Sequence, residues 1–237
     1  MRLLRTLLLL ALLPATAFAA DAPPTYRVEL VLFEHTDPNA FYSESWPQDA
    51  GLPDMNGAVD VFAGERGPGK AFRALPGSNG ELDDVAKLLD NSERYHVILH
   101  RVWQQTGLDA DKAVPVVIHG GTDYAPNYPQ LMAPRWEYDA QGILVEIPGP
   151  ARLEQVDGWV KVVLGRYLHV YTDLAYRKPV MLEHTDPVTQ QVTRTPDLYT
   201  IRVQEKRRMR SRELHYLDHP LLGMLVKITP VGADSGN

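Results

Sequence analysis

Six basic residues crowd one short stretch of this chain: Arg202, Lys206, Arg207, Arg208, Arg210 and Arg212. If the stretch is a strand, Arg208, Arg210 and Arg212 fall on one face, with Lys206 and Arg202 in phase, because alternate side chains of a strand share a side. Like charges in a row repel, so the row calls for an anionic neighbour. Either the acidic half of the same chain supplies it, or a ligand carboxylate or phosphate does, which a guanidinium grips with two parallel hydrogen bonds. Arg166, Tyr167 and His169 stand on a second extended run and can flank this row, and Trp103 closes a third. Aromatic rings beside arginines also suit sugars, whose apolar faces stack on rings while their hydroxyls seek polar partners.

Other chemistries are excluded or unsupported. The chain has no cysteine, which removes disulfides, thiolate catalysis, Cys-based metal sites and Fe–S clusters. His96 and His100 are four apart, as are His215 and His219. That spacing joins two ligands on a helix, but 95–103 alternates as a strand, where residues four apart lie roughly 13 Å from each other. No metal and no cofactor is expected. G-x-S-x-G, S-x-x-K and H-E-x-x-H are all absent. Gly64-Glu65-Arg66-Gly67-Pro68-Gly69-Lys70 lacks the Ser or Thr of a phosphate loop, and Pro68 removes a needed N–H. The expectation is a non-enzyme without catalytic residues. A hydrolase using an unrecognised carboxylate pair is the alternative, since carboxylates are many and no spacing singles out two.

The N-terminus has the layout of an export signal: Arg2 and Arg5, an apolar run over 7–13, then Ala17-Phe18-Ala19 at a cleavage site. The apolar run is shorter than the ~20 residues a membrane span needs. Residues 1–19 are therefore expected to be removed, leaving a periplasmic protein with no anchor. Net charge is −6, unevenly spread: 20 acidic against 9 basic residues over 20–150, and 10 against 13 over 151–237. The acidic half argues against nucleic-acid binding, which needs a basic face. The basic half can meet an anionic partner.

Residues 26–33, YRVELVLF, load both faces with apolar side chains, as a central strand does. Residues 35–80 hold seven Gly and five Pro and no sustained period; 58–62 is a candidate short piece within this loop. A helix should follow, with Ser78 and Glu81 at capping-box spacing, Asp83 and Asp84 in the first turn, and Leu82, Val85, Leu88 and Leu89 as its apolar stripe. Strand 95–103 completes a βαβ-like unit. Residues 115–119 are a short strand, and 136–138 with 143–147 form a hairpin around 139–142. Pro148-Gly149-Pro150 is the candidate boundary between an N-terminal part, 20–150, and a β-rich part, 151–230, with a polar tail over 231–237. The run 158–176 is too long for one regular strand, and Gly165 reads as a bulge or bend in it. Residues 198–212 and 222–229 are further extended runs, with a turn at 218–220. Glu34-His35-Thr36-Asp37-Pro38 recurs as 183–187, read as two coincident Asp-Pro turns. The fold class is α+β, βαβ-like in its N-terminal half and mostly antiparallel in its C-terminal half.

Three of these runs carry a family resemblance. Residues 95–105, YHVILHRVWQQ, resemble a strand of the CsiV family. Arg166-Tyr167-Leu168-His169-Val170 with Asp173, Leu174 and Tyr176 resembles another. The most specific run is 208–220, RMRSRELHYLDHP, followed by Gly223 and Val226-Lys227-Ile228. The resemblance covers most of the chain and is vague over 35–80. It implies a periplasmic peptidoglycan-binding protein that serves cell-wall assembly and cell shape through a class A penicillin-binding protein and its outer-membrane lipoprotein activator, LpoA. A protein–protein adaptor without wall binding is the alternative. No site residues carry over. Arg208, Arg210, Arg212, Arg166, Tyr167, His169 and Trp103 are expected to form the ligand face on chemical grounds alone.

Overall fold

The structure is a computed structural model that describes residues 23–47, 49–68, 71–76 and 80–232. The expected export signal over 1–19, Ser78 of the expected capping box and residues 233–237 of the tail lie outside the described residues. Two antiparallel sheets carry the fold. The first has the order β10-β11-β1-β3-β2, built from β10 (Leu214–Asp218), β11 (Leu222–Pro230), β1 (Thr25–His35), β3 (Tyr95–Thr106) and β2 (Arg73–Leu75). The second has the order β4-β7-β8-β9, built from β4 (Val116–Asp123), β7 (Glu154–Leu164), β8 (Leu168–Thr185) and β9 (Val192–Met209). A separate hairpin pairs β5 (Arg135–Tyr138) with β6 (Leu144–Ile147). Strands from both sides of residue 150 share each large sheet.

The alternation of apolar side chains explains the layering. Val28, Leu30 and Leu32 of β1 and Met224, Val226 and Ile228 of β11 meet Val156, Val160, Val162, Val170 and Leu174 of the second sheet in one buried core. Each such side chain contributes about 1.5–3 kcal/mol on full burial. The odd residues of β1, Val31 and Phe33, face the other way, against Leu82 and Ala86 of helix α1 (Asp83–Asp90) and its lead-in. Thus β1 is central, buried on both faces and paired on both edges, as its sequence indicates. The architecture is helix on sheet on sheet, mostly β.

Two expectations are corrected here and a third is refined. The unit from β1 to β3 is not βαβ-like, because the two strands are antiparallel neighbours, with His35 opposite Tyr95 and Thr25 opposite Thr106. The long loop makes one traverse of the sheet and α1 the return, so β3 starts where β1 ended; the Thr36 amide donates to Arg94 O at 3.0 Å across that junction. Second, the buried stripe of α1 uses Ala86 in place of Leu88, which is exposed. Its N-terminus is held by Glu29 of β1, whose carboxylate accepts from the Glu81 and Leu82 amides at 2.8 Å each. His100 Nε2 lies 2.7 Å from the same carboxylate. Burial pushes the Glu29 carboxyl up, but His100 and the two amides outweigh it and hold it below its ordinary value. Third, the expected break at Gly165 is present and closes a hairpin within 158–176: β7 ends at Leu164, β8 begins at Leu168, and the Gly165 amide donates to Tyr167 O at 3.0 Å.

Residues 35–80 are not shapeless. The described part holds a 3-10 turn at Ala40–Ser43, the short β2, and a parallel bridge from Val59 to Val116 inside the expected piece 58–62. The hairpin over 135–147 forms as expected, with Asp139 Oδ1 accepting from the Gln141 and Ile143 amides. Both copies of the recurring pentapeptide end in turns whose Asp side chain accepts a backbone amide, Asn39 for Asp37 and Val188 for Asp186.

Candidate functional site

The second sheet has one face in the core and one turned away from it. Residues opposite one another in an antiparallel ladder share a face. Leu168, Val170, Leu174 and Tyr176 of β8 are in the core, so the odd-numbered residues of β8 face outward. The register extends this outward set to Trp159 and Lys161 on β7 and to Arg202, Gln204, Lys206 and Arg208 on β9.

This outer face has two halves. Near the β7–β8 turn it is open. Arg208 lies 4.8 Å from the centre of the Tyr167 ring and Arg166 lies 5.6 Å from it. Lys206 and Lys161 stand 5.1 and 5.7 Å from the Tyr171 ring, and Lys161 is also 5.8 Å from Trp159. His169 sits between the two tyrosines, its Nδ1 3.2 Å from Tyr167 O. Among the described residues none of these four cations forms an ion pair; rings hold them instead. A cation over an exposed ring gains about 0.5–1 kcal/mol, enough to order the charge without neutralising it. The result is a row of rigid rings and available cations, suited to a ligand with both apolar surface and carboxylates.

Toward the other end the face is covered by residues 49–55. The Trp159 indole donates to Asp54 O at 3.0 Å. A Cβ on Gly51, whose φ is +66°, would sit 3.3 Å from Arg202 Nη1. Here the cations are matched by acids. Arg202 donates to both Asp173 oxygens at 2.7 Å. Arg177, 1% exposed, donates to Asp157 at 2.7 Å and to Glu154 O at 2.8 Å. Burial pushes the Asp157 carboxyl up, with Arg177 pulling the other way.

The structure thus gathers Arg208, Arg166, Tyr167 and His169 as expected, and separates the rest. The expected row of Arg208, Arg210 and Arg212 does not exist, because β9 ends at Met209. Arg210 follows it, exposed and 3.6 Å from Glu213. Arg212 takes a left-handed conformation, φ +68°, in the turn to β10. Trp103 is fully buried in the core, its indole donating to Gln105 at 2.7 Å, and cannot face a ligand. Trp159, Lys161 and Tyr171 were missed. Their alternation, Trp159-Val160-Lys161 and His169-Val170-Tyr171, is legible once the run is seen as two strands that fold these positions opposite each other.

The histidine spacings do not build a metal site. His96 pairs with Asp90 at 3.3 Å, His215 accepts from the Arg210 amide, and His219 lies tilted against Trp46, ring centres 5.4 Å apart. Glu29, Asp83 and His100 do converge, within 4.8 Å, but the Glu29 oxygens already accept the amides that dock α1. No helix among the described residues is long and apolar enough to cross a membrane. Compared with known proteins, residues 3–231 match the family model described as "Peptidoglycan-binding protein, CsiV". No curated protein and no solved structure gives a significant match.

Proposed function

The chain belongs to the CsiV family, and from that premise we propose that it binds peptidoglycan through the open half of the outer face of β7–β9. The observation that carries this reading is the set of four cations, Lys161, Arg166, Lys206 and Arg208, ordered on rings and, among the described residues, in no ion pair. Peptidoglycan stem peptides offer carboxylates to the cations, and amide and methyl surface to Tyr167, Tyr171 and Trp159. Its role is binding and not catalysis, and its place is the periplasm, reached through the signal at 1–19. A face of this kind acts partly by long-range attraction, which salt screens over ~10 Å at 0.1 M, so binding weakens as salt rises. Reversing two charges, Lys206→Glu with Arg208→Glu, is expected to reduce co-sedimentation with purified sacculi at least tenfold. Undiminished sedimentation of the variant would refute the site.

Support for cell-wall synthesis through a class A penicillin-binding protein and LpoA needs a second surface. Beyond Tyr176, which pairs with Val156, β8 and β9 leave the sheet as a two-stranded arm running from Arg177 opposite Thr200 to Thr185 opposite Val192. Met181, Leu182, Val188 and Val192 are exposed along it. An isolated ribbon of two strands is marginal in water, which favours the arm as the place where a protein partner docks. The same arm would serve an adaptor that does not touch the wall. Sacculus binding by the purified protein alone separates the two.

A further inference from the structure

The hairpin of β5 and β6 shares nothing with the core. Trp136 is 60% exposed and Tyr138 74% exposed. Large aromatic side chains so open to water are unusual on a surface with no partner. Register puts Trp136 opposite Glu146 and Tyr138 opposite Leu144, so all four residues share one face, with the two rings about 7 Å apart along the strand. The hairpin's cation, Arg135, lies on the opposite face and is held by Glu137 at 2.6 Å. The ring-bearing face therefore carries no positive charge, and its one ionised group is an exposed carboxylate without an ion pair among the described residues.

This chemistry is the reverse of the open half of β7–β9. It disfavours the anionic peptide and suits an uncharged ligand with a flat apolar side and hydroxyl or amide donors for Glu146. We infer that the Trp136–Tyr138 platform is a second contact for peptidoglycan, and that it takes the uncharged N-acetylated glycan while the cationic end takes the acidic stem peptides. The inference rests on the function proposed above. Placement supports it. Leu131 and Arg135, at the base of the hairpin, line a cleft of about 250 Å³ together with Arg177 and Thr200, and Arg177 and Thr200 belong to the same outer sheet face as Tyr171 and Lys206. The hairpin thus adjoins the covered end of that face, eight residues along β8 from His169, or roughly 26 Å. A polymer that engages both contacts is held more tightly than by either alone.

The test uses chitotetraose, an uncharged N-acetylglucosamine oligomer, in titration calorimetry with the whole protein, beside sacculus co-sedimentation. Both rings are exposed, so Trp136→Ala with Tyr138→Ala leaves folding intact. The expected result is salt-insensitive binding of chitotetraose that the double variant weakens at least fivefold and that Lys206→Glu with Arg208→Glu leaves unchanged. Wild-type protein that sediments with sacculi yet ignores chitotetraose, or binds it equally well without the two rings, would overturn this inference alone. Protein that does not sediment with sacculi at all would overturn the function on which it rests.

Discussion

At one end of the outer face of β7–β9, Arg177 and Arg202 lie under residues 49–55 with Asp157 and Asp173 against them. At the other end, Lys161, Arg166, Lys206 and Arg208 lie in the open against the rings of Tyr167 and Tyr171. Both ends are built by the same alternation on the same strands, and residue type alone does not distinguish them. Burial does. A guanidinium removed from water must be paired and hydrogen-bonded, or the desolvation cost exceeds what the fold can bear. One left in water can keep its charge available, and a ring fixes its position at small cost. The covered arginines are thus committed to the fold, whereas the open cations keep the charge that the proposed site needs.

The largest effect is expected at the covered end. Arg177→Ala leaves the half-buried Asp157 without its partner, and the loss should be about 3 kcal/mol, the low end for a broken buried pair. A thermal melt should fall steeply, while the fraction still folded sediments with sacculi normally. Arg202→Ala removes two charge-assisted hydrogen bonds from a partly buried site and should cost about 1.5–3 kcal/mol, read by urea unfolding, again with wall binding retained. At the open end the order reverses. Lys206→Glu with Arg208→Glu should shift stability by no more than about 0.5 kcal/mol and take away most of the sacculus binding. Tyr171→Ala sharpens the comparison: losing the ring under two lysines is worth about 0.5–1 kcal/mol, so affinity should fall two- to fivefold with the salt dependence kept. A stability loss at Lys206 and Arg208 as large as that at Arg177 would erase the distinction.

Much of this was legible in the sequence. The alternation of 26–33 identifies a central strand, and the Asp139–Gly142 turn identifies its hairpin. Arg166, Tyr167, His169 and Arg208 are gathered as their positions in two extended runs suggest. What the sequence hid was tertiary. Gly165 reads as well as a bend as a turn, and only the turn brings Lys161 opposite Tyr171. Arg210 and Arg212 continue the alternation of β9 in the sequence, yet the chain leaves the strand at Met209 to begin the turn into β10. Trp103 sits among polar neighbours, Arg101 and Gln104, but its phase on β3 points it into the core. The path of 35–80 is set by contacts with distant residues, such as Asp60 to Arg152 at 3.1 Å and Trp46 O to Tyr199, which no local period can signal. The helix cap came from Glu29, more than fifty residues upstream of the amides it holds.

The central claim is that the open cations of β9 hold the wall and are not part of what holds the fold. Its most direct test is co-sedimentation with purified sacculi, wild type beside Lys206→Glu with Arg208→Glu, across a salt series, with melting temperatures measured on the same samples. The account predicts saturable wild-type binding that weakens as salt rises, binding at least tenfold weaker in the variant, and closely matching melting temperatures. Equal binding by the two proteins, or a variant that loses binding only because it has unfolded, would contradict it.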